Sequence, residues 1–291
     1  MDHELVNRIL EEVQKKVNGK SVGIDLTEAI KNAVKNLGET VPSEYIEINN
    51  LKEKREVEMI NDAPAITEYV GCGIGDTVGL VIANIDGYLH EKMGLDPKYR
   101  SIGLISSRTG AGPQIMAADE AVKATNTEIV SIELARDTKG GAGHGSLIIF
   151  AAEDVSDARR AVEVTLKELK RTFGDVYGCD AGHLELQYTA RASLALEKAF
   201  NAPLGKSFGI IVGAPAAIGL VMADAALKTA NVDIVTYASP NAGTAHSNEI
   251  IVTITGDSGA VRQSVRTARE VGFSILKSMG QNPVSTTEPY I

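Results

Sequence analysis

The sequence predicts an α+β protein in which one sandwich, with helices on one face of a sheet, occurs twice in tandem. Two observations predict it: a segment returns after about 105 residues, and within each copy strand-like runs alternate with helical patterns. The composition of residues 1–62 differs from the rest and marks an N-terminal extension with helical and flexible parts. We therefore expect an extension at 1–62 and two domains at 63–177 and 178–291.

The repeat is clearest in one helical segment. Ala118–Asn126 (ADEAVKATN) returns 105 residues later as Ala223–Asn231 (ADAALKTAN). Further upstream the offset is 107, where Gly71-Cys72 corresponds to Gly178-Cys179. Single-residue changes in loop length produce such a drift. The period exceeds the ~20–50 residues of solenoid repeats, so each copy is a whole domain.

Hydrophobic patterns place the elements of each copy in the same order. In the first copy, strands are predicted at Thr77–Ala83, Ser101–Ser106, Glu128–Glu133 and Ser146–Ala152, and helices at Asp86–Met93, Pro113–Ala124 and Ser156–Phe173. In the second copy, strands are predicted at Glu185–Thr189, Phe208–Val212, Asp233–Tyr237 and Glu249–Thr255. Strand, helix, strand, hairpin strand and helix together form an α+β sandwich.

The extension carries an amphipathic pattern. Leu5, Ile9, Val13 and Val17 recur every four residues and predict one apolar stripe on a helix, and a second such helix is predicted at about 26–37. Two interpretations stay open: the helices dock on their own chain, or the stripes bind another protein. Short isolated helices of this kind are marginal unless something covers the stripe.

Composition excludes several classes of protein. The formal net charge is −9, which disfavours binding to nucleic-acid phosphates. No apolar run approaches the ~20 residues of a membrane span, and the N-terminus does not resemble a secretory signal. The two cysteines cannot form a disulfide framework. We therefore expect a cytoplasmic protein without a membrane or nucleic-acid partner.

No motif indicates an active site. The five histidines and two cysteines lack metal-ligand spacing, so no metal or cofactor is expected, and no nucleophile motif occurs. The loop Gly110–Gly112 lies between a strand and a helix, where glycines can cradle a phosphate. Because the third glycine of the dinucleotide motif is replaced by Ile115, a tight turn explains the loop better. An enzyme or sensor that binds a nucleotide or small molecule there is the alternative hypothesis; we expect no enzyme.

Several motifs resemble a known family, the bacterial microcompartment shell domains. The resemblance lies in Asp224–Val232 (DAALKTANV), the strand and glycine-rich loop that follow, and Gly256–Arg262 (GDSGAVR). Two copies, each opening with a strand and helix that single-domain members place last, resemble the circularly permuted tandem shell proteins. The segments Arg136–Ser146 and Arg171–Tyr177 are similar to shell proteins of propanediol- and glycerol-processing microcompartments.

The resemblance implies a structural role in a microcompartment shell in the cytoplasm. Such proteins form homotrimers whose six similar domains make a pseudo-hexagonal tile with selective passage of small polar metabolites. It implies that Lys123 and Lys228 lie at tile edges beside other shell proteins, against the alternative of ordinary exposed lysines. The extension would bind the encapsulated core enzymes. Neither cysteine lies in a pore loop, so no iron–sulfur cluster is implied. The residues that would ring the central pore are Lys139, Gly140, Gly141, Ala142, Gly143, His144, Gly145, Asn241, Ala242, Gly243, Thr244, Ala245, His246, Ser247 and Asn248.

Overall fold

The computed structural model describes residues 66–108, 110–134 and 145–291. The predicted helix with Leu5, Ile9, Val13 and Val17 lies outside the described residues, as do Lys139–His144 of the first hairpin loop. Residues 66–291 belong to one compact unit, which holds two antiparallel sheets with helices packed on them. The predicted mixture of strands and helices in two tandem copies is confirmed.

The elements of the first half are β1 Tyr69–Gly73, β2 Thr77–Ile82, α1 Gly87–Lys92, β3 Ser101–Ser107, α2 Gly112–Lys123, β4 Glu128–Glu133, β5 Ser146–Ala152 and α3 Val155–Thr172. The first sheet has five strands in the order β1-β2-β3-β5-β4. Two helices that pack together, α2 and α3, follow β3 and β5, and α3 lies across β1, β2 and β3.

The second half repeats this arrangement and adds one strand. Its elements are β6 Val176–Cys179, β7 Gly182–Thr189, α4 Leu194–Phe200, β8 Ser207–Ala214, α5 Ala216–Thr229, β9 Val232–Ala238, β10 Ile250–Gly256, α6 Ser258–Ser278 and β11 Val284–Ser285. The order of the second sheet is β11-β6-β7-β8-β10-β9, so that β6 to β10 correspond to β1 to β5 and β11 is the additional strand.

Glycines let the long helices lie close to the sheets. A Cβ atom on Gly103 of β3 would be 2.7 Å from the carbonyl oxygen of Ala158 in α3. Its copy Gly209 in β8 faces Val261 and Val265 of α6 in the same way. One side of α3 is buried, because Ala158, Ala161, Val162, Thr165 and Leu169 are buried and Leu166 is half-buried. Both copies therefore keep a small residue where helix and sheet approach most closely.

The edge strands β1, β6 and β11 were not predicted from the sequence. Each has five residues or fewer, and β1 and β6 each contain glycine, which weakens the strand pattern. The chain continues from α3 of the first half directly into β6 of the second sheet, so the halves are joined without a long linker. Among the described helices, none is long and apolar enough to cross a membrane.

Candidate functional site

The loop between β9 and β10 is the second predicted pore loop. Thr244 is fully buried, and its hydroxyl donates to the Ser247 carbonyl oxygen at 3.1 Å. The Thr244 N–H donates to Ser239 O, and the His246 N–H donates to Pro240 O at 2.9 Å. The remaining predicted loop residues face solvent or are half-buried: Asn241, Ala242, Gly243, Ala245, His246, Ser247 and Asn248. This loop is thus a folded turn built on one buried threonine.

Left-handed backbone accounts for the glycine of this turn and is also adopted by two residues that carry side chains. Gly243 has a φ of 107°, and Ala245 and His246 have φ values of 48° and 70°. At Gly243 a side chain would be strained, and its Cβ would be 2.7 Å from Ala238 Cβ. Of the first pore loop, the structure describes only Gly145, which is buried.

The two predicted edge lysines have different surroundings within one chain. Lys123 Nζ lies 2.9 Å from Asp119 Oδ2 and 3.0 Å from Glu120 Oε1, and its side chain is 27% exposed. Lys228 Nζ lies 2.7 Å from Asp224 Oδ2, and its side chain is 74% exposed. The shared Asp-x-x-x-Lys spacing gives both pairs one helical geometry. What differs is that the second half of the chain covers the first pair.

Asp119 joins the two halves and was assigned no role from the sequence. It lies on α2 with no exposed surface, and its Oδ1 accepts hydrogen bonds from Ser193 N at 3.0 Å, Ser193 Oγ at 2.7 Å and Leu196 N at 3.3 Å. Ser193 begins α4 without capping it through its own side chain. A carboxylate of the first half therefore caps a helix of the second, which stabilises the free N–H groups and the positive end of the helix dipole.

Apolar contacts surround this cap. Helix α4 packs on α2 and β4, and the apolar cluster there combines side chains of both halves. From the first half it includes Ile115, Met116 and Ile129, and from the second half Ala195 and Leu196, all of them buried. The two halves thus share one hydrophobic core along this contact.

A cavity of about 280 Å³ also lies between the halves. Its walls are largely apolar, and its described titratable groups are Tyr177, His183, Glu185 and Glu249. His183 Nε2 lies 3.2 Å from Glu249 Oε2. Burial opposes protonation of His183, but the hydrogen bond and charge of Glu249 outweigh it and raise the pKa of His183. The other lining residues are Gly110, Ala111, Gly112, Leu134, Phe173, Val176, Gly178, Phe200, Ile210, Val212, Ile251 and Thr286.

Glu185 occupies the place where the alternative hypothesis needs a phosphate. A Cβ atom on Gly112, the first residue of α2, would lie 1.9 Å from Glu185 Oε1. Gly112 is therefore required for the close approach of this carboxyl group. A phosphate at this helix N-terminus would meet a carboxyl group already in place. The geometry disfavours nucleotide binding at Gly110–Gly112, and the described residues contain no cluster that could hold a metal ion.

Both copies of the fold match a known protein family. A family model for the BMC domain matches residues 101–178 and 207–284, more than half of the chain. The chain therefore belongs to the BMC-domain family of bacterial microcompartment shell proteins.

Individual proteins of this family are similar to the chain over most of its length. The chain is 64% identical to the bacterial microcompartment shell protein PduB of Salmonella typhimurium over 81% of this chain and 88% of that protein. It is 52% identical to PduB of Limosilactobacillus reuteri over 80% of this chain and 99% of the other. Crystal structures of EtuB from Clostridium kluyveri (62% identity, TM-score 0.76) and of a trimeric shell protein PduB (53%, 0.75) are each matched over their full length and 78% of this chain. The PduB relatives are named as shell proteins, in agreement with the expected structural, non-enzymatic role.

Proposed function

We propose that three copies of this chain close into a pseudo-hexagonal tile of a microcompartment shell. The observation that carries the proposal is a set of exposed apolar residues whose copies in the first half are buried between the halves. Leu220, Val221 and Ile234 are 52%, 50% and 52% exposed. At an offset of 105 they correspond to Ile115, Met116 and Ile129, which are at most 8% exposed.

The helix that covers these residues in the first half also has an exposed copy. Helix α4, which covers Ile115 and Met116, corresponds to α1 at an offset of 106, so that buried Ala195 corresponds to Leu89. Leu89 is 45% exposed. The chain thus presents both sides of one contact, α5 with β9 at one end and α1 at the other. We expect α1 of a second copy to cover α5 and β9 as α4 covers α2 and β4, and three such contacts close a ring of six domains. The trimeric relative supports this ring.

Charge substitution in this face tests the ring. Leu220→Asp together with Val221→Asp places carboxylates where we expect apolar contact, and each lost side chain removes about 1.5–3 kcal/mol of burial per contact. The expected result is a monomer of 30.8 kDa in place of a trimer, measured by analytical ultracentrifugation. The matched control is Leu204→Asp, which changes an equally exposed leucine outside this face and should leave the trimer intact. A double variant that stays trimeric would overturn the assignment of this face.

We assign the glycine-rich hairpin loops to the central axis of the tile, on the strength of the family resemblance. The loop 240–248 would alternate there with the loop 139–145. Exposed backbone groups, such as those of Gly243, can approach a small hydroxyl compound closely, which suits a selective opening for small polar metabolites. A substitution that places a large side chain in this loop tests the assignment. Ala242→Trp should slow passage of a diol across assembled shells, with Asp257→Asn as an exposed control remote from the loop.

We assign residues 1–37 to binding of the enzyme core, because the apolar stripe of Leu5, Ile9, Val13 and Val17 belongs to no part of the predicted domains. Their partner would be a core enzyme that offers an apolar groove. A chain that begins at Met59 should form the same trimers but lose co-purification of core enzymes. Equal co-purification with the full chain would contradict this assignment.

We assign Lys228 to the seam between tiles. Its ammonium group is exposed and is paired only with Asp224 among the described residues, so it can reach a neighbouring tile. Lys123 occupies the equivalent position, but it also contacts buried Asp119, so its replacement would disturb the contact between the halves as well. Lys228→Ala is therefore the clearer test: trimers should persist while extended sheets are lost in electron micrographs.

A further inference from the structure

The cavity between the two halves holds two carboxyl groups, of which Glu249 is paired with His183. Glu185 projects from β7 into the cavity, and no described residue forms a hydrogen bond or ion pair with it. Its side chain keeps some contact with solvent through the cavity, although it lies deep between the halves. Ionisation of a carboxyl group in such a position is unfavourable, because the lost hydration of the charge is not replaced by a hydrogen bond or an ion pair.

Every titratable group that faces the cavity is accounted for among the described residues. His183 from β7 is already engaged by Glu249, which precedes β10. Tyr177 from β6 donates its hydroxyl to Asp175 Oδ1 at 2.8 Å, and burial raises its pKa to about 12. The walls supplied by α2, α4, β8 and β10 carry no charged side chain toward the cavity. Two groups that face the cavity can therefore change charge near neutral pH: His183, which is paired with Glu249, and Glu185, which has no such partner among the described residues.

Burial raises the pKa of Glu185 to about 7; the nearby His183 opposes the rise and Glu249 adds to it. The first half of the chain lacks this group, because the strand position equivalent to Glu185, at an offset of 107, is Val78. The acid is thus a feature of the cavity within each chain and not of the repeated fold.

We propose that Glu185 sets the charge of this cavity by exchanging one proton near neutral pH. With the proton bound, the carboxyl group is neutral and the cavity admits uncharged solutes without an electrostatic preference. With the proton released, the cavity becomes more anionic, so that it excludes carboxylates and phosphates and attracts small organic cations. The proton exchange does not depend on the proposed shell role; only its consequence for the passage of solutes does.

Thermal unfolding of the full chain at fixed concentration tests the proton exchange. Glu185→Gln keeps the size and neutrality of the protonated acid, so at about pH 5.5, where the folded wild type still holds the proton, it should melt only ~3–6 °C above the wild type. As the pH rises to about 8.5, the wild type should fall below the variant by a further ~4–8 °C, because it must hold an ionised buried carboxylate. The matched control Glu197→Gln removes an exposed carboxylate of α4 and should show no such divergence.

A second measurement, on the wild-type protein alone, tests the proposal even if the Glu185→Gln variant does not fold. Infrared spectra of the wild-type protein should contain the carbonyl band of a protonated carboxylic acid at about pH 6 and lose it by about pH 8.5, where ordinary carboxyl groups are ionised throughout. A pH-independent difference between wild type and Glu185→Gln, or the absence of this band, overturns the proposal. Neither readout requires trimers or tiles, so failure of the shell assignment would be seen separately.

Discussion

The contact between the halves should depend strongly on Asp119. Asp119→Ala removes a fully buried carboxylate that accepts three hydrogen bonds from the start of α4 and pairs with Lys123 at 2.9 Å. The substitution leaves the N–H groups of Ser193 and Leu196 without acceptors and Lys123 without its nearest partner. Breaking a buried pair in this way costs about 3–5 kcal/mol. For a unit of this size that is a fall in melting temperature of about 6–20 °C.

Urea unfolding followed by circular dichroism measures this cost. The matched control is Asp154→Asn, because Asp154 is an exposed aspartate before α3 whose side chain makes no capping hydrogen bond. The control should change the free energy of unfolding by no more than about 0.5 kcal/mol. A cost of less than about 1 kcal/mol for Asp119→Ala would show that this carboxylate does not hold the halves together.

The remaining predictions concern pH, assembly and the extension. Because the folded-state pKa of Glu185 is raised to about 7, its stability contribution is complete at low pH and is lost as pH rises through that value; Glu185→Gln should gain about 2 kcal/mol over wild type between about pH 5.5 and 8.5 in urea unfolding. Lys228→Ala should keep trimers in ultracentrifugation but lose sheets in micrographs. A chain beginning at Met59 should keep trimers and lose core enzymes in pull-downs.

The repeat allowed most of the fold to be predicted. Strands β3, β4 and β5 lie within one residue of their predicted bounds, because long apolar runs and the same order in both copies reinforce each other. Edge strands such as β1 were not predicted, because short glycine-containing runs have little strand preference of their own and are ordered by the neighbouring strand.

The candidate site was less accessible from sequence. Lys123 and Lys228 were found through a motif that the copies share, but nothing local shows that Asp119 caps a helix about 75 residues away or that Glu185 contacts Gly112. These are contacts between the halves, and a one-dimensional pattern does not encode them. The comparison of Glu185 with Val78 at the repeat offset was the one available signal, a charged residue where the other copy is apolar.

Negative-stain electron microscopy of the purified full chain over a range of concentrations tests most directly whether this protein forms a shell tile. We expect threefold particles of about 92 kDa, three times the chain mass of 30.8 kDa, that join into flat hexagonal arrays as the concentration rises. Monomers without threefold symmetry at every concentration would contradict the proposal that this chain forms a shell tile.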